Sequence, residues 1–515
     1  MVTSLQPHVQ RNPKATAIVD DTGRTTWAKL DDRANRWIWA LRGLGITAGD
    51  RVAVMAGNRR ELWPLFVACL HAGYVVVPVN WALDLADATY VLSHSGARAL
   101  VVEERTRSVA MQAVPKELTV RLTLDGPAGS DGFVAARELL REVPPIEPHG
   151  QIAGGPMFYT SGTTGRPKGV MSAGVAGGGG DVSGVAETAQ AVAGGTGFPA
   201  GGVAMIVGPN YHSGQFVFAT FALLSGQTLV VRRAPDPRDI LRWIQAYGVT
   251  NLLLLTADFG QLLALPTPER EAFDPSSLAV VLHGGAPVPP DVKQRMIEWW
   301  GPRLVEYYGA TEAGLFSLAT TEDWHSRPGT VGRVLPFLEC RIVDAEGKEV
   351  PVGQEGVLYF RHRGGNTFHY HDDPERTAAA HLEPGLFTVG DVGWLDDDGY
   401  LYVSGREAHL VTVGDQRVHP NRVEGALSSH PAVADVGAFG VTSPDGTQEL
   451  HVAVVLAEDA RAEDQLQAAL QLHVARSLPE AAVPSHIHVV QQIPRSAAGK
   501  ILRDELVRLT APLTT

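Results

Sequence analysis

The sequence reads "YTSGTTGRPKG" from Tyr159 to Gly169, a stretch with three glycines, four small hydroxyl side chains and two cations. Neighbouring Gly and Thr residues can turn several backbone N–H groups toward one point and form an anion-binding concavity, to which Lys168 adds a compact positive charge. The spacing differs from that of a Walker loop, because Pro167 stands where that motif requires a glycine before the lysine. The stretch therefore predicts a polyphosphate-binding loop of another kind.

The segments around this stretch indicate a layered α/β protein. Apolar residues recur at helical spacing from Trp27 to Leu44, and the β-branched run in "GDRVAVMAG" follows them. Later strand-like runs are "ALVVEE", "TLVVRR", "NLLLLT", "LAVVLHGG" and "RLVEYYG", with helical segments between several of them. This alternation predicts parallel sheets, and the glycine-containing turns after the strands are where α/β folds place ligands.

The chain is long enough for several structural units. At 515 residues, roughly 100–200 residues per domain predict about three or four units. Short strands and turns from Gly332 predict a β-rich subdomain over about 332–405, and a separate βα alternation follows Ala408. We expect a large N-terminal lobe, residues 1–408, and a small C-terminal domain, residues 409–515.

Composition narrows the partners and the setting. The 43 basic and 56 acidic residues give a net charge of −13, which argues against nucleic acid as a partner. With Cys69 and Cys340 as the two cysteines, a cytoplasmic setting fits better than a disulfide framework, and both thiols are expected in cores. The polar start lacks a secretory signal, and the most apolar windows stop short of the ~20 residues that span a bilayer. Neither export nor membrane spanning is expected.

A segment rich in glycine and alanine follows the opening stretch, from Ser172 to Gly202. Two interpretations stay open. In the first, the segment is a weak helix with a flexible loop, since Gly costs about 1 kcal/mol per helical position relative to Ala. Alternatively, its small side chains leave room for a bulky ligand.

The opening stretch resembles the phosphate-loop signature of the adenylate-forming superfamily, which comprises acyl-CoA synthetases, peptide-synthetase adenylation domains and luciferases. Other motifs of the superfamily occur in order along nearly the whole chain, from "GDRVAVMAGN" to "PRSAAGKILR". The resemblance is to acyl-CoA synthetases above all. It implies an α/β fold with two layered sheets and a small β-barrel-like subdomain in the N-terminal lobe, and a small mobile α+β C-terminal domain.

The same resemblance implies the ligands. They are a small-molecule carboxylic acid, ATP, Mg2+ and CoA. A homodimer is the default expectation for the assembly, since dimers are the commonest oligomers.

Two further motifs carry the nucleotide site. In "YYGATE", Tyr308 matches the ring that stacks on adenine, Thr311 a phosphate contact and Glu312 the Mg2+ ligand, and a hard carboxylate oxygen suits that ion. In "TVGDVGWLDDDGYLYVSGR", Asp391 matches the acceptor of the ribose hydroxyls and Arg406 a ribose or phosphate contact. The whole set implied for the nucleotide is Thr160, Ser161, Gly162, Thr163, Thr164, Lys168, Gly284, Gly285, Ala286, Tyr307, Tyr308, Gly309, Thr311, Asp391 and Arg406.

Two other motifs resemble the part of the family's active site that binds the carboxylic acid. "NYHSGQFVF" is similar to the helix that carries a histidine or aromatic residue at the acid, so His212 is expected at the carboxylate, although a structural histidine fits equally well. "PRSAAGKILR" places Lys500 where a lysine of the mobile domain meets the carboxylate and the α-phosphate. The implied catalytic residues are Lys500, Thr164, Glu312 and His212, and the implied acyl pocket is His212, Gly214, Gln215, Gly309, Ala310 and Gly314. So many small residues favour a bulky hydrophobic acid.

The sequence departs from the family pattern at two places that concern the second half of the implied reaction. His409 stands at the hinge, where the family usually has Asp or Lys, so pH-sensitive domain rotation and an ordinary substitution are both open. Gly414–Asp415–Gln416 replaces the usual Gly-Gly-Glu of the loop that lines the CoA tunnel. Arg417 and Arg422 are the cations that could attract the CoA phosphates there.

The principal interpretation is an acid–CoA ligase that forms acyl-AMP and pyrophosphate and then passes the acyl group to the CoA thiol. A second is a superfamily member that performs one half-reaction, either making acyl-AMP for another acceptor or using a supplied acyl-AMP. A third, from another class, is a non-catalytic protein that binds adenine nucleotides.

Overall fold

The computed structural model describes residues 4–126, 132–160, 166–171, 180–233, 236–443, 445–457, 460, 465–496 and 499–510. The helices are α1 Gln6–Arg11, α2 Trp27–Gly43, α3 Leu62–His71, α4 Leu85–His94, α5 Glu104–Ala113, α6 Ala136–Glu142, α7 Val182–Gly195, α8 Ser213–Leu224, α9 Pro237–Tyr247, α10 Thr256–Leu263, α11 Thr267–Glu271, α12 Pro290–Trp300, α13 Thr321–Ser326, α14 Pro374–Ala379, α15 Pro420–Ser428, α16 Leu466–Ala475 and α17 Arg503–Thr510.

The strands of the N-terminal lobe are β1 Thr16–Asp20, β2 Gly23–Thr26, β3 Arg51–Met55, β4 Val75–Pro78, β5 Ala99–Val102, β6 Val120–Thr123, β7 Val134–Ala135, β8 Gly155–Thr160, β9 Lys168–Met171, β10 Val203–Ile206, β11 Thr228–Val231, β12 Asn251–Leu254, β13 Val280–Gly284, β14 Leu304–Ala310, β15 Gly314–Thr320, β16 Arg333–Val334, β17 Leu338–Val343, β18 Gly356–His362, β19 His369–Tyr370, β20 His381–Glu383, β21 Leu386–Leu395 and β22 Leu401–Arg406. Those that follow are β23 Val411–Val413, β24 Gln416–Val418, β25 Val433–Thr442, β26 Gln448–Leu456 and β27 His486–Val489.

Two large sheets form the N-terminal lobe, as the helix–strand alternation predicts. Among the described residues, one sheet has nine strands in the order β16-β15-β14-β13-β12-β10-β11-β1-β2, and the other has eight in the order β19-β9-β8-β4-β3-β5-β6-β7. Neighbouring strands are parallel from β1 to β14 of the first sheet and from β8 to β7 of the second. Antiparallel strands at the sheet edges complete both.

Helices α2, α3, α7 and α8 fill the layer between the two sheets. Helix α3 is buried at all ten positions, because it contacts apolar neighbours on every side. Its Trp63 and Phe66 pack against Phe216 of α8, with Phe66 and Phe216 ring centres 4.9 Å apart. The outer faces are covered separately, by α9, α10 and α12 on the nine-stranded sheet and by α4 and α5 on the other. The result is an alternation of helix and sheet layers.

The β-rich subdomain and the C-terminal domain have their own sheets. Strands β17, β18, β21, β20 and β22 form an antiparallel sheet in the region predicted to be β-rich. In the C-terminal domain β25, β26 and β27 form a sheet with α15 and α16 packed on one face and α17 on the other. The α/β class, the large sheet-built lobe and the smaller terminal domain are therefore confirmed.

The remaining fold expectations concern cysteines and membranes. Cys69 is a buried free thiol in the layer between the sheets, whereas Cys340 is a half-buried free thiol against the core of the β-rich subdomain. No helix within the described ranges is both long and apolar enough to span a bilayer.

Candidate active site

A cavity of about 1150 Å³ lies beside the carboxyl ends of β12, β13 and β14, where α/β folds bind ligands. It is bounded on one side by the two-sheet lobe and on the other by Lys500 of the C-terminal domain. Predicted site residues that line it are Thr160, Lys168, His212, Gly214, Gln215, Gly285, Tyr307, Gly309, Ala310, Thr311, Glu312, Gly314, Arg406 and Lys500. The fold thus brings together motifs that lie up to 340 residues apart in the chain.

The phosphate loop contributes the described residues at its two ends. Thr160 ends β8 and Lys168 begins β9, which pairs antiparallel with β8, so both face the same part of the cavity. Burial is the main reason that the pKa of Lys168 is lowered, and the nearby Arg376 lowers it further. The predicted contacts Ser161, Gly162, Thr163 and Thr164 lie outside the described residues.

The turn between β14 and β15 carries the predicted phosphate and metal residues. The Thr311 hydroxyl lies 2.9 Å from that of Ser213, and the Tyr370 hydroxyl donates to Glu312 Oε1 at 3.0 Å. The strand register shifts at Gly309, where a Cβ atom would lie 2.3 Å from the Gly314 carbonyl oxygen. Glycine at position 309 therefore permits the close turn that presents both side chains to the cavity.

Asp391 and Tyr308 lie behind this wall of the cavity. Asp391 is paired with Arg406 across β21 and β22, and the Arg406 Nε atom lies 3.2 Å from its carboxylate. The buried Tyr308 hydroxyl donates to the other Asp391 oxygen at 2.6 Å, and the pKa of Tyr308 is raised well above its usual value, mainly by burial. Within the described chain Arg406 lines the cavity, whereas Asp391 and Tyr308 do not. The adenine and ribose contacts assigned to them stay predictions.

Two predicted residues after β13 also stand slightly back from the cavity. Gly284 packs closely against Tyr307. A Cβ atom added at position 284 would lie 2.3 Å from the Tyr307 carbonyl oxygen. The Ala286 carbonyl accepts a hydrogen bond from Thr256 at 3.1 Å. Gly285 lies between them, lines the cavity and has a φ of 83°, a left-handed conformation that favours glycine.

The start of α8 forms the next wall. His212 is its N-cap, and the buried His212 Nε2 atom has no hydrogen-bond partner among the residues that the structure describes. Burial, assisted by the charge of Lys500, lowers the pKa of His212 to about 4, so the ring is neutral at pH 7. A buried polar atom without a partner is costly. His212 as a residue lines the cavity, and its contact with the substrate carboxylate stays a prediction.

An apolar end extends beyond His212. The Gln215 side chain donates to the Leu253 carbonyl at 3.2 Å, and a Cβ atom on Gly214 would lie 2.9 Å from the Tyr307 hydroxyl. Other lining side chains come from α7, α8 and the neighbouring strand ends, namely Ala191, Val192, Val217, Phe218, Phe221, Leu253, Leu255 and Leu282. The sequence identified none of these individually. Its Gly- and Ala-rich segment, which includes α7, was the signal available.

A turn of the C-terminal domain closes the opposite side. Gly499 has a φ of 79° and donates to the Ser496 carbonyl, and Arg495 donates to the Gly499 carbonyl at 2.9 Å. These hydrogen bonds hold Gly499, the residue before Lys500. The Lys500 side chain itself stays exposed to the open cavity. Protein atoms nevertheless surround its ammonium group and lower its pKa by burial and by the charge of Arg406, while Asp391 and Glu312 oppose the shift. Lys500 therefore faces the predicted phosphate and metal residues.

Comparisons with known proteins agree with this architecture. Residues 5–369 match the family described as AMP-binding enzyme, and residues 422–500 match the AMP-binding enzyme C-terminal domain. The chain belongs to the AMP-binding enzyme family. A feruloyl-CoA synthase from Amycolatopsis sp is 30% identical over 502 residues, which cover 96% of each chain. A fatty acid–[acyl-carrier-protein] ligase, ScoC of Streptomyces coeruleorubidus, is 27% identical, with 98% of this chain and 95% of ScoC covered.

A solved structure is similar over almost the same extent. The amide bond synthetase McbA from Marinactinospora thermotolerans superimposes with a TM-score of 0.83 at 26% identity, over 98% of this chain and 99% of that chain. These relatives are named as a CoA synthase, an acyl-carrier-protein ligase and an amide bond synthetase, so their names point to different acyl acceptors. Family membership therefore assigns this chain to the adenylate-forming acid ligases and leaves the acceptor to be argued.

The two places where this chain departs from the family pattern lie outside the cavity wall. His409 ends a short 3-10 turn, Glu407–His409, and its pKa is lowered to about 4 by burial and by Arg503, Arg406 and Lys500. Gly414 and Asp415 form the exposed turn between β23 and β24, with Gln416 and Arg417 exposed on β24.

The structure also shows supporting residues that the sequence did not reveal. Tyr370 contacts Glu312 because β19 pairs with β9, and Ser213 contacts Thr311 because α8 begins beside β14. Glu355 of the N-terminal lobe accepts from His419 at 2.8 Å and from Arg422 at 3.1 Å, both of the C-terminal domain. The His419 contact is the main reason that the pKa of Glu355 is lowered to about 2. This cluster ties the two lobes together.

Proposed function

We propose that this protein is an ATP- and Mg2+-dependent acid–CoA ligase that activates a bulky hydrophobic carboxylic acid as acyl-AMP and transfers the acyl group to CoA. The observation that carries the proposal is the convergence of Lys168, Glu312 and Lys500 on one cavity. Two of them come from the N-terminal lobe and the third from the C-terminal domain. A protein that only bound a nucleotide would have no need for a lysine from the second domain at that position.

The first step is acid activation. An oxygen of the substrate carboxylate attacks the α-phosphorus of ATP, the bond to the pyrophosphate oxygen breaks, and acyl-AMP and pyrophosphate result. Negative charge is redistributed over phosphate oxygens in this step, so ammonium groups fixed at the cavity stabilise it more than water would. In this proposal Lys500 binds the carboxylate and the α-phosphate, and Lys168 binds the more distal phosphates. His212, which lines the cavity beside them, would orient the carboxylate.

Glu312 fits the Mg2+ ion that the family resemblance implies. Its carboxylate lines the cavity, and the hydrogen bond from Tyr370 holds it in place. Mg2+ prefers oxygen ligands and binds through one or two carboxylates plus substrate phosphates. When bound, the ion neutralises charge on the phosphate oxygens. Glu312 would hold it, and the phosphates would supply further ligands.

The apolar end supports the choice of acid. Most of its side chains from α7, α8 and β12 are aliphatic or aromatic, with the uncharged Thr188 and Gln215 among them. The charged residues of the cavity lie toward the phosphate and hinge sides. A second carboxylate or a sulfonate on the acid would lose its hydration there without gaining an ionic partner. Acids with an uncharged aliphatic or aromatic body are therefore preferred.

CoA is the acceptor that the sequence similarity favours, since a relative at 30% identity over 96% of the chain is named as a CoA synthase. The exposed Arg417 beside Asp415 offers a cation for the CoA phosphates. A second candidate is acyl-AMP formation for an amine acceptor. It is favoured by Asp415 at the CoA-tunnel loop and by the similarity to an amide bond synthetase.

One assay separates these functions. The protein is incubated with ATP, Mg2+ and a panel of acids, with CoA, an amine or neither, while pyrophosphate and acylated product are measured separately. We expect pyrophosphate release with hydrophobic acids and thioester only when CoA is present. Pyrophosphate with amide but no thioester would establish the second candidate. Absence of pyrophosphate release with every acid would refute acid activation.

A further inference from the structure

A group of histidines and a glutamate lies on the sheet of the C-terminal domain, apart from the cavity. Glu449 and His451 are two residues apart on β26, and His486 and His488 are two residues apart on β27. Side chains at i and i+2 of a strand lie on one face of the sheet. The parallel register pairs His451 with His486, so the four side chains share that face.

The ligand atoms of three of these side chains already surround one point. Glu449 Oε2 lies 3.4 Å from His451 Nε2 and 3.6 Å from His486 Nδ1, and the three atoms all lie within 4.8 Å of one another. Zinc binds nitrogen and oxygen ligands at roughly 2.0–2.2 Å, so two ligands of a tetrahedral ion are roughly 3.3–3.6 Å apart. Two of the three separations therefore have the tetrahedral value before any ion is added.

Neighbouring groups fix the orientation of these ligands. His488 Nε2 lies 3.2 Å from His451 Nδ1, which leaves the His451 Nε2 atom to face Glu449. The Ser485 hydroxyl donates to Glu449 Oε2 at 3.1 Å. Metal-binding histidines usually use their second nitrogen in such a contact, which holds the ring in the orientation for binding. The His451 and His488 rings also rest against Phe439 of the buried core.

The group is buried on one side and open to solvent on the other. The side chain of His451 is 4% exposed, whereas those of Glu449 and His486 are 44% and 54% exposed. The base of the site is thus fixed in the fold, and its outer side is open to solvent. A site with three protein ligands and one open position is completed by water.

We propose that Glu449, His451 and His486 form a zinc-binding site in the C-terminal domain, separate from the proposed reaction centre. Two imidazoles and one carboxylate suit Zn2+ and other divalent transition metals, whereas Mg2+ and Ca2+ prefer oxygen ligands throughout. None of the three residues lines the cavity. The ion would link β26 to the edge strand β27 and stabilise the folded C-terminal domain.

The test is a calorimetric titration of Zn2+ into metal-free full-length protein in the presence of millimolar Mg2+. We expect saturable binding of one ion, at least about tenfold weaker in His486→Ala and in Glu449→Gln, since even the loss of an indirect partner of a ligand costs about 10–100-fold. Zn2+ should raise the melting temperature of the wild-type protein and of neither variant. Co2+ should give visible absorption bands that both variants lose.

The control is His149→Ala, which removes an exposed imidazole from the N-terminal lobe. It should bind Zn2+ as the wild type does. Both altered ligands are largely exposed, so the metal-free variants should melt close to the wild-type temperature. No saturable Zn2+ binding by the wild type, or equal affinity in the wild type and both ligand variants, would overturn the proposal. Because no acid or ATP is present, this result is independent of the proposed ligase activity.

Discussion

Two turns of the C-terminal domain differ in what they face. The turn that ends at Lys500 lies against the cavity, near enough for Arg406, Asp391 and Glu312 to influence the lysine. The turn at Gly414–Asp415 is exposed and contributes nothing to the cavity wall in the described chain. In the proposed ligase the first turn serves acid activation and the second serves thiol transfer. We therefore propose that the observed orientation serves acid activation and that thiol transfer uses a different orientation of the same domain.

The largest expected effect distinguishes the proposed roles of the two turns. Lys500→Ala should lower the rate of acid-dependent pyrophosphate release about 10²–10³-fold, the usual consequence of removing one group that stabilises transition-state charge. Thioester formation from a supplied acyl-AMP should change little, because that step uses the other orientation. Both rates are measured on the same preparation. The matched control is Arg508→Ala, which removes an exposed cation from α17 of the same domain.

Equal losses in both half-reactions would contradict the separation of roles. Such a result would mean that Lys500 serves the fold or both steps. An unchanged melting temperature would then exclude the first of these explanations.

The second effect concerns the metal. Glu312→Gln should raise the Mg2+ concentration for half-maximal pyrophosphate release by at least about tenfold, because loss of an indirect partner of a metal ligand already costs about 10–100-fold. Thioester formation from supplied acyl-AMP should stay Mg2+-independent and unaffected. A Mg2+ titration of both rates checks this. An unchanged Mg2+ requirement for pyrophosphate release would show that Glu312 is not the ligand.

The sequence predicted the residues at the site better than their surroundings. Lys168, Glu312 and Lys500 belong to motifs that stand at turns, where a residue pattern identifies the chemistry without knowledge of the packing. Tyr370 and the apolar residues of α7 were missed because they reach the cavity through pairings between remote segments. Ser213 lies inside the motif that gave His212, but its contact with Thr311 depends on the packing of α8. Local periodicity carries no information on such pairings.

The fold shows the same difference between features that local sequence predicts and features that depend on packing. Alternating helical and strand-like segments predicted an α/β protein, and the structure confirms it. The order of the strands was not predictable, since β1 pairs with β11 more than 200 residues later and the two sheets share one helical layer. That order depends on which apolar faces cover one another in the folded lobe. Periodicity identifies an apolar face without identifying its partner.

A smaller effect is expected at the exposed turn. Asp415→Gly removes a carboxylate near the proposed path of the CoA phosphates, and one unfavourable charge interaction in solvent is about 1 kcal/mol, or roughly fivefold in rate. We expect thioester formation to increase by that factor at low ionic strength and pyrophosphate release to stay constant. Increased salt should reduce the difference. A decrease in thioester formation would show that Asp415 assists the acceptor step.

The contact between the lobes should bias the two orientations by less. Glu355→Gln removes the charge that pairs with the exposed Arg422 and keeps an acceptor for the buried His419. Exposed ion pairs are worth about 0.2–1 kcal/mol. The orientation with Lys500 at the cavity should lose population, so pyrophosphate release should fall up to about fivefold relative to thioester formation. The control is Glu346→Gln, an acidic residue exposed in the same subdomain. Equal ratios in all three proteins would exclude a role for the cluster.

The smallest expected effect, and the most specific one, concerns His409. In the observed orientation its pKa is about 4, lowered by burial and three cations, against 6.5 when solvated. A lowered histidine pKa favours the neutral form, so this orientation has its full advantage only well above pH 6.5 and loses it progressively as the pH falls through 6.5 toward 4. Between pH 7.5 and 6.5 the ratio of acid activation to thioester formation should fall about twofold, if rotation exposes the ring. His409→Asn should abolish the fall, whereas His212→Asn, which alters a low-pKa histidine of the cavity wall, should retain it. A pH-independent ratio in the wild type would mean that His409 stays buried in both orientations and is an ordinary substitution at the hinge.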